Sequence, residues 1–88
     1  MSTPTRTRDE IAHTVRTAVA DVIGTEPEEI GDDVSLVADY GVDSLELMDI
    51  GARLEKALDV HIEVRDLTLA ETVGHAVDLL EERLRERS

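Results

Sequence analysis

Apolar residues recur at helical spacing in three stretches of the chain. Ile11, Val15, Ala18, Val19 and Val22 fall on one side of a first helix, predicted over 8–23. Thr7 and Glu10 stand in front of it like a capping box, and Gly24 and Pro27 close it. Leu47, Ile50, Leu54, Ala57 and Leu58 line one side of a second helix over 44–58. Leu69, Val73, Ala76, Val77, Leu80 and Leu84 share a face of the last helix, predicted over 71–84. Thr68 and Thr72 are both candidate caps for it. Gly74 lowers its helix propensity and is expected to permit close packing. Between the second and last helices, His61, Ile62 and Glu63 read as extended, with Ile62 as an apolar anchor. Val64 to Leu67 then reads as one short helical turn. The pattern predicts an all-α fold: a small four-helix bundle of three main helices plus a short third one.

Residues 24–43 form a long connection between helices 1 and 2. Connections of this length inside a compact domain are unusual and often functional. Ile30, Val34, Leu36 and Val37 are expected to pin it to the helices. Tyr40 is expected to pack beneath it with its hydroxyl outward. Its acids, Glu26, Glu28, Glu29, Asp32, Asp33 and Asp39, invite calcium, but no EF-hand frame fits their spacing. A solvated acidic loop is the expectation.

Composition narrows the picture. Tyr40 is the only aromatic among 88 residues, so the core must be built from Leu, Val, Ile and Ala. The length suits one domain spanning 1–88, with an ordered core over about 8–84. The absence of cysteine excludes disulfides and thiolate metal sites. No apolar run is long enough for a membrane span and no secretory signal opens the chain, so a cytoplasmic monomer is expected. The net charge of −12 argues against nucleic acid as a partner. Its distribution says more. Residues 24–63 carry twelve of the 21 acids and two of the nine basic side chains. Such a concentrated field steers basic proteins and weakens with salt.

At the centre of that field lies Gly41-Val42-Asp43-Ser44-Leu45-Glu46. Gly41 permits a sharp turn. Asp43 is a good N-cap, with Glu46 three residues on. Ser44 then falls in the first helical turn, where N–H groups lack intrahelical partners and the dipole is positive. A phosphate ester on its oxygen would lie close to those donors. An Asp-Ser pair before an apolar run is usually no more than a cap. Here, however, Leu45, Met48 and Ala52 form a second apolar stripe on the far side of the helix from its core face. Glu46, Asp49 and Glu55 bracket that stripe, with Arg53 and Lys56 nearby. An apolar stripe ringed by acids beside an exposed serine fits a docking surface for a basic partner. The alternative is a helix packed on two sides within its own domain.

Other chemistries fit less well. A hydrolytic Ser44 requires a base and an oxyanion hole, and its surroundings are not Gly-x-Ser-x-Gly. His13, His61 and His75 show no metal-ligand spacing. There is no P-loop and no dinucleotide fingerprint.

The segment GVDSLELMDIGARLEKALDVHI, with the helix that follows, resembles the acyl carrier proteins of fatty acid and polyketide synthesis. The resemblance covers nearly the whole chain, and Asp43-Ser44-Leu45 is its most specific part. It implies a four-helix bundle with a long first loop and a short third helix. It also implies a non-catalytic carrier whose serine, matched by Ser44, receives 4′-phosphopantetheine from coenzyme A through a phosphopantetheinyl transferase. Asp43 matches an acidic residue that lies near the transferase's magnesium. Leu45, Glu46, Met48, Asp49, Ala52 and Glu55 match the surface read by partners such as a ketosynthase, an acyltransferase or a ligase. Ile62 matches a residue near the arm, and the family's behaviour places a cargo pocket among Ile50, Leu54, Ile62 and Val73. Arg53 and Lys56 interrupt the acid face, and Tyr40 stands where the family often has leucine. A discrete carrier in a polyketide or related specialised pathway is the preferred expectation. A peptidyl or aminoacyl carrier fits less well, because Val42 and Asp43 replace the glycine and histidine common before its serine. An unmodified acidic helical adaptor is the alternative from a different class.

Overall fold

The structure, a computed structural model, describes residues 7–87. Helix α1 spans Arg8–Ile23, α2 Leu36–Tyr40, α3 Ser44–Leu58, α4 Val64–Leu69 and α5 Val73–Arg87. No strand occurs among the described residues. The all-helical bundle expected from the periodicity is present. Helix α1 packs on both α3 and α5, and the short α4 lies against α3 and α5.

The caps explain where the helices start. The Thr7 hydroxyl and Glu10 form the reciprocal capping box of α1, and left-handed Gly24 ends the helix. Thr72, not Thr68, caps α5: its hydroxyl accepts from the His75 N–H at 3.2 Å. The helix therefore begins at Val73, two residues later than the periodicity indicates. It runs on to Arg87 because the charged tail continues the helix past its last apolar residue, Leu84.

The core is aliphatic throughout. Ile11, Val15 and Val19 of α1 meet Leu47, Ile50 and Leu54 of α3 and Val73, Val77 and Leu80 of α5 in one cluster. Two expected core positions are corrected. Ala57 is exposed, and Gly51 is buried in its place. Ala57 lies roughly 80° around the helix from Leu47, at the margin of the buried arc, whereas Gly51 lies within it. A Cβ on Gly51 would stand 3.4 Å from the Leu67 side chain, an ordinary contact distance, so Gly51 faces α4. Leu69 belongs to α4 rather than to the face of α5, and it is exposed.

The long connection is more ordered than expected. A 3-10 turn at Pro27–Glu29 leads to Ile30, which is buried, and Val34 and Leu36 pack against the core. Val37 does not pin the loop, and Tyr40 is 39% exposed, with most of its surface covered. Both lie on α2, a single helical turn with Ser35 as its cap and left-handed Gly41 behind it. The Asp32 and Val34 carbonyls accept the first two N–H groups of α5, from Gly74 at 2.8 Å and Val73 at 2.9 Å. The loop thus caps α5 with its own backbone. Arg16 of α1 adds an ion pair to Asp32 at 2.6 Å.

Gly74 is required by that contact, in line with the packing role expected of it. A Cβ there would meet the Asp32 carbonyl oxygen at 3.1 Å and its Cβ at 3.3 Å. On propensity alone, Gly74→Ala would stabilise a helix by up to about 1 kcal/mol. We expect the opposite sign: a loss of about 1–2 kcal/mol in urea unfolding, because backbone must shift to admit the methyl group. A more stable variant would contradict this packing.

Candidate functional site

The loop and α3 meet at a corner of three residues. Gly41, at φ 63°, reverses the chain, and its N–H donates to the Leu36 and Val37 carbonyls. Val42 is buried and donates to the Leu36 carbonyl at 3.1 Å. It is the pivot that fixes the corner to the core. Asp43 then opens α3. Its carboxylate accepts the Glu46 N–H at 2.9 Å, and the Glu46 carboxylate accepts the Asp43 N–H at 3.1 Å.

That box satisfies two of the four N–H groups that open the helix. The other two belong to Ser44 and Leu45, at the first two helical positions. Ser44 is exposed. It therefore stands in the open at the positive end of a fifteen-residue helix, where two N–H groups lie outside the capping box. A tetrahedral phosphate ester on Ser44 Oγ fits this setting. The nearby charges are Asp39, Asp43, Glu46 and Asp49, so a free anion would be repelled. A covalently held phosphate would not depend on attraction to this surface.

The second stripe of α3 faces solvent. Leu45 is 75% and Met48 53% exposed, and Ala52 is exposed beside them. The rim acids are less free than the sequence implies. Asp49 accepts from Arg53 Nε at 3.0 Å, and Arg53 also reaches Asp21 at 3.7 Å. Glu46 is committed to the capping box. Glu55 turns away to the α3–α4 linker, accepting from the Ile62 N–H at 2.7 Å and lying 3.1 Å from His61 Nδ1. Arg83 of α5 holds the same linker from the other side. It donates to the His61 carbonyl at 3.1 Å and to Asp66 at 2.8 Å.

Ile50, Leu54, Ile62 and Val73 are all buried in the closed core. Of the four, Ile62 alone lines the groove of about 310 Å³ between α4 and α5, with Leu67, Ala76, Leu79, Leu80 and Arg83 among the walls. Val37 and Tyr40, exposed just before the corner, escaped sequence reasoning as surface residues. The available signal was Ser35 before and Gly41 behind, which mark a separate helical turn.

Among the described residues, no group of three or more His, Cys, Asp or Glu side chains could hold a metal ion. Among them, too, no helix is long and apolar enough to cross a membrane.

Residues 13–80 match the family model described as a phosphopantetheine attachment site. The chain is 36% identical over 78 residues to the acyl carrier protein of Petrotoga mobilis, covering 89% of this chain and 92% of that one. It is 37% identical to the acyl carrier protein of an Exiguobacterium species, covering 89% and 99%. A 33% identity to the acyl carrier protein of Saccharopolyspora erythraea covers 82% and 76%. With a family match over most of its length and relatives of its own size, the chain belongs to the acyl carrier proteins, non-catalytic carriers of a covalently attached 4′-phosphopantetheine.

Proposed function

We propose that Ser44 is the attachment residue, with the chain acting as one carrier domain. The observation that carries this is the exposed hydroxyl at the first position of α3, beside two N–H groups outside the capping box. In the modification, Ser44 Oγ forms a phosphodiester with the pantetheine phosphate of coenzyme A. The pyrophosphate bond breaks, adenosine bisphosphate leaves, and the serine proton passes to the phosphopantetheinyl transferase or solvent. Asp43 is the residue before Ser44, and its carboxylate, which accepts the Glu46 N–H in the cap, would be the group nearest in sequence to the transferase's magnesium. The arm supplies a thiol that carries acyl groups as thioesters. The chain's own part is to present that arm and to be recognised. Incubation with coenzyme A, magnesium and a promiscuous phosphopantetheinyl transferase should add one phosphopantetheine to the intact mass. No gain in mass would favour an unmodified acidic adaptor.

Leu45, Met48 and Ala52, with Glu46 and Asp49 beside them, are the surface we propose for partner docking, Glu55 supporting its lower end through Ile62. Partners would be the transferase and acyl-processing enzymes such as a ketosynthase, an acyltransferase or a ligase. Weak, salt-sensitive docking suits a carrier that must leave each enzyme quickly. Because Glu46 closes the helix cap, charge reversal there would confuse docking with stability. Glu46→Gln keeps an acceptor for the Asp43 N–H. Glu46→Gln with Asp49→Asn should raise the transferase KM roughly three- to ten-fold at low salt, with the difference fading as salt screens the charges. An unchanged KM would remove these two carboxylates from the docking surface.

Cargo that enters the helices would start at Ile62, the groove residue, and would have to displace the packing of Ile50, Leu54 and Val73. We place the carrier in the cytoplasm, in polyketide or related specialised biosynthesis. The charge interruptions at Arg53 and Lys56 support a narrowed choice of partners.

A further inference from the structure

Four of the five large apolar side chains exposed among the described residues lie between 37 and 48: Val37, Tyr40, Leu45 and Met48, at 57%, 39%, 75% and 53%. Two come from α3 and two from α2, the turn of helix in the connecting loop. Val37 and Tyr40 are three residues apart, so they stand side by side on α2. Tyr40 precedes Ser44 by four residues, which limits their separation to about 14 Å. The corner between them is held by buried Val42, by left-handed Gly41 and by the Asp43 cap, so the two helices keep a defined relation.

The chain's single aromatic residue is 39% exposed and lies outside the core cluster. It stands four residues before Ser44, within the most acidic part of the sequence. Tyrosine at the centre of an interface supplies large contact area at low entropic cost. We infer that Val37 and Tyr40 form a second docking wing, across the corner from Leu45 and Met48. A partner protein would grip the corner from both sides, with an apolar patch against the two pairs and arginine or lysine at its edge facing Asp39, Asp43 and Asp49. The inference deepens the docking surface proposed above and rests on Ser44 carrying the arm. It adds that the partner reads α2 as well as α3, and that Tyr40 contributes to partner choice.

The sole tyrosine provides the test. Protein grown with fluorotyrosine carries one fluorine signal, from Tyr40. Titration with unlabelled phosphopantetheinyl transferase, without coenzyme A, should shift and broaden it. In parallel, Tyr40→Ala should raise the transferase KM about ten-fold with kcat retained, since a tyrosine anchor commonly contributes that much, and Val37→Ser should raise it by a smaller factor of about two to three. Tyr40→Phe should restore most of the affinity. A fluorine signal that stays in place while wild type is labelled normally would overturn the wing and leave the assignment of Ser44 intact. Wild-type protein that gains no phosphopantetheine would remove the assignment of Ser44 itself.

Discussion

Ser44→Ala should abolish phosphopantetheine transfer completely while leaving the fold as it is. The substitution removes the only atom that would form the phosphodiester. It removes little else, because Asp43 and Glu46, not Ser44, cap α3. Alanine at an exposed first helical position is a good helix former, so unfolding should move by no more than about 0.5 kcal/mol. Intact mass and urea denaturation on the same samples separate these effects. A variant that still gains the prosthetic group would move the site elsewhere. One that unfolds would mean that the hydroxyl has a structural role this geometry does not give it.

Leu54→Ala should be the most damaging single truncation in the core. Leu54 is completely buried, on the face of α3 that joins the cluster shared with α1 and α5. With no aromatic residue in the interior, no large ring can lean in to fill the space. A Leu→Ala change in such a site costs about 2–5 kcal/mol. For a domain of this size that lowers Tm by roughly 8–40 °C, and it is a large part of a total stability of about 5–10 kcal/mol. Calorimetry reads the effect directly. A shift of only a degree or two would mean that α3 is not clamped between its neighbours as the structure has it.

Much of the framework was legible because three helices have apolar stripes long enough to show a period. The two capping boxes, at Thr7 and Asp43, placed the starts of α1 and α3 from four-residue patterns. Helix α2 was not legible from periodicity, since Leu36–Tyr40 is little more than one turn. That turn leaves Val37 exposed, whereas reading the segment as loop placed it against the helices. Leu69 failed for a related reason. Its spacing suits the face of α5, but Thr72 starts that helix later and leaves Leu69 on the exposed side of α4.

At the candidate site, the sequence located the serine, its cap and the exposed stripe. It could not reveal which acids are engaged. Glu55 and Asp49 look equally available along the chain, yet one holds the Ile62 N–H and the other an arginine. Those bonds depend on where the α3–α4 linker folds back and on which residue stands one helical turn away. Nor could it show the backbone pairing of Asp32 and Val34 with the start of α5, which joins segments some forty residues apart.

The most direct measurement is to find where the prosthetic group sits on the wild-type chain. Trypsin should release the segment 17–53 whole, because it holds no lysine or arginine before Arg53. That segment contains two serines, Ser35 and Ser44. Ser35 is half-buried, and its hydroxyl accepts the Ala38 N–H at 3.1 Å as the cap of α2. Fragmentation after treatment with coenzyme A and the transferase should leave every fragment ending before 44 at its unmodified mass and place the whole gain on Ser44. A gain on Ser35, or on any residue outside this segment, would contradict the account.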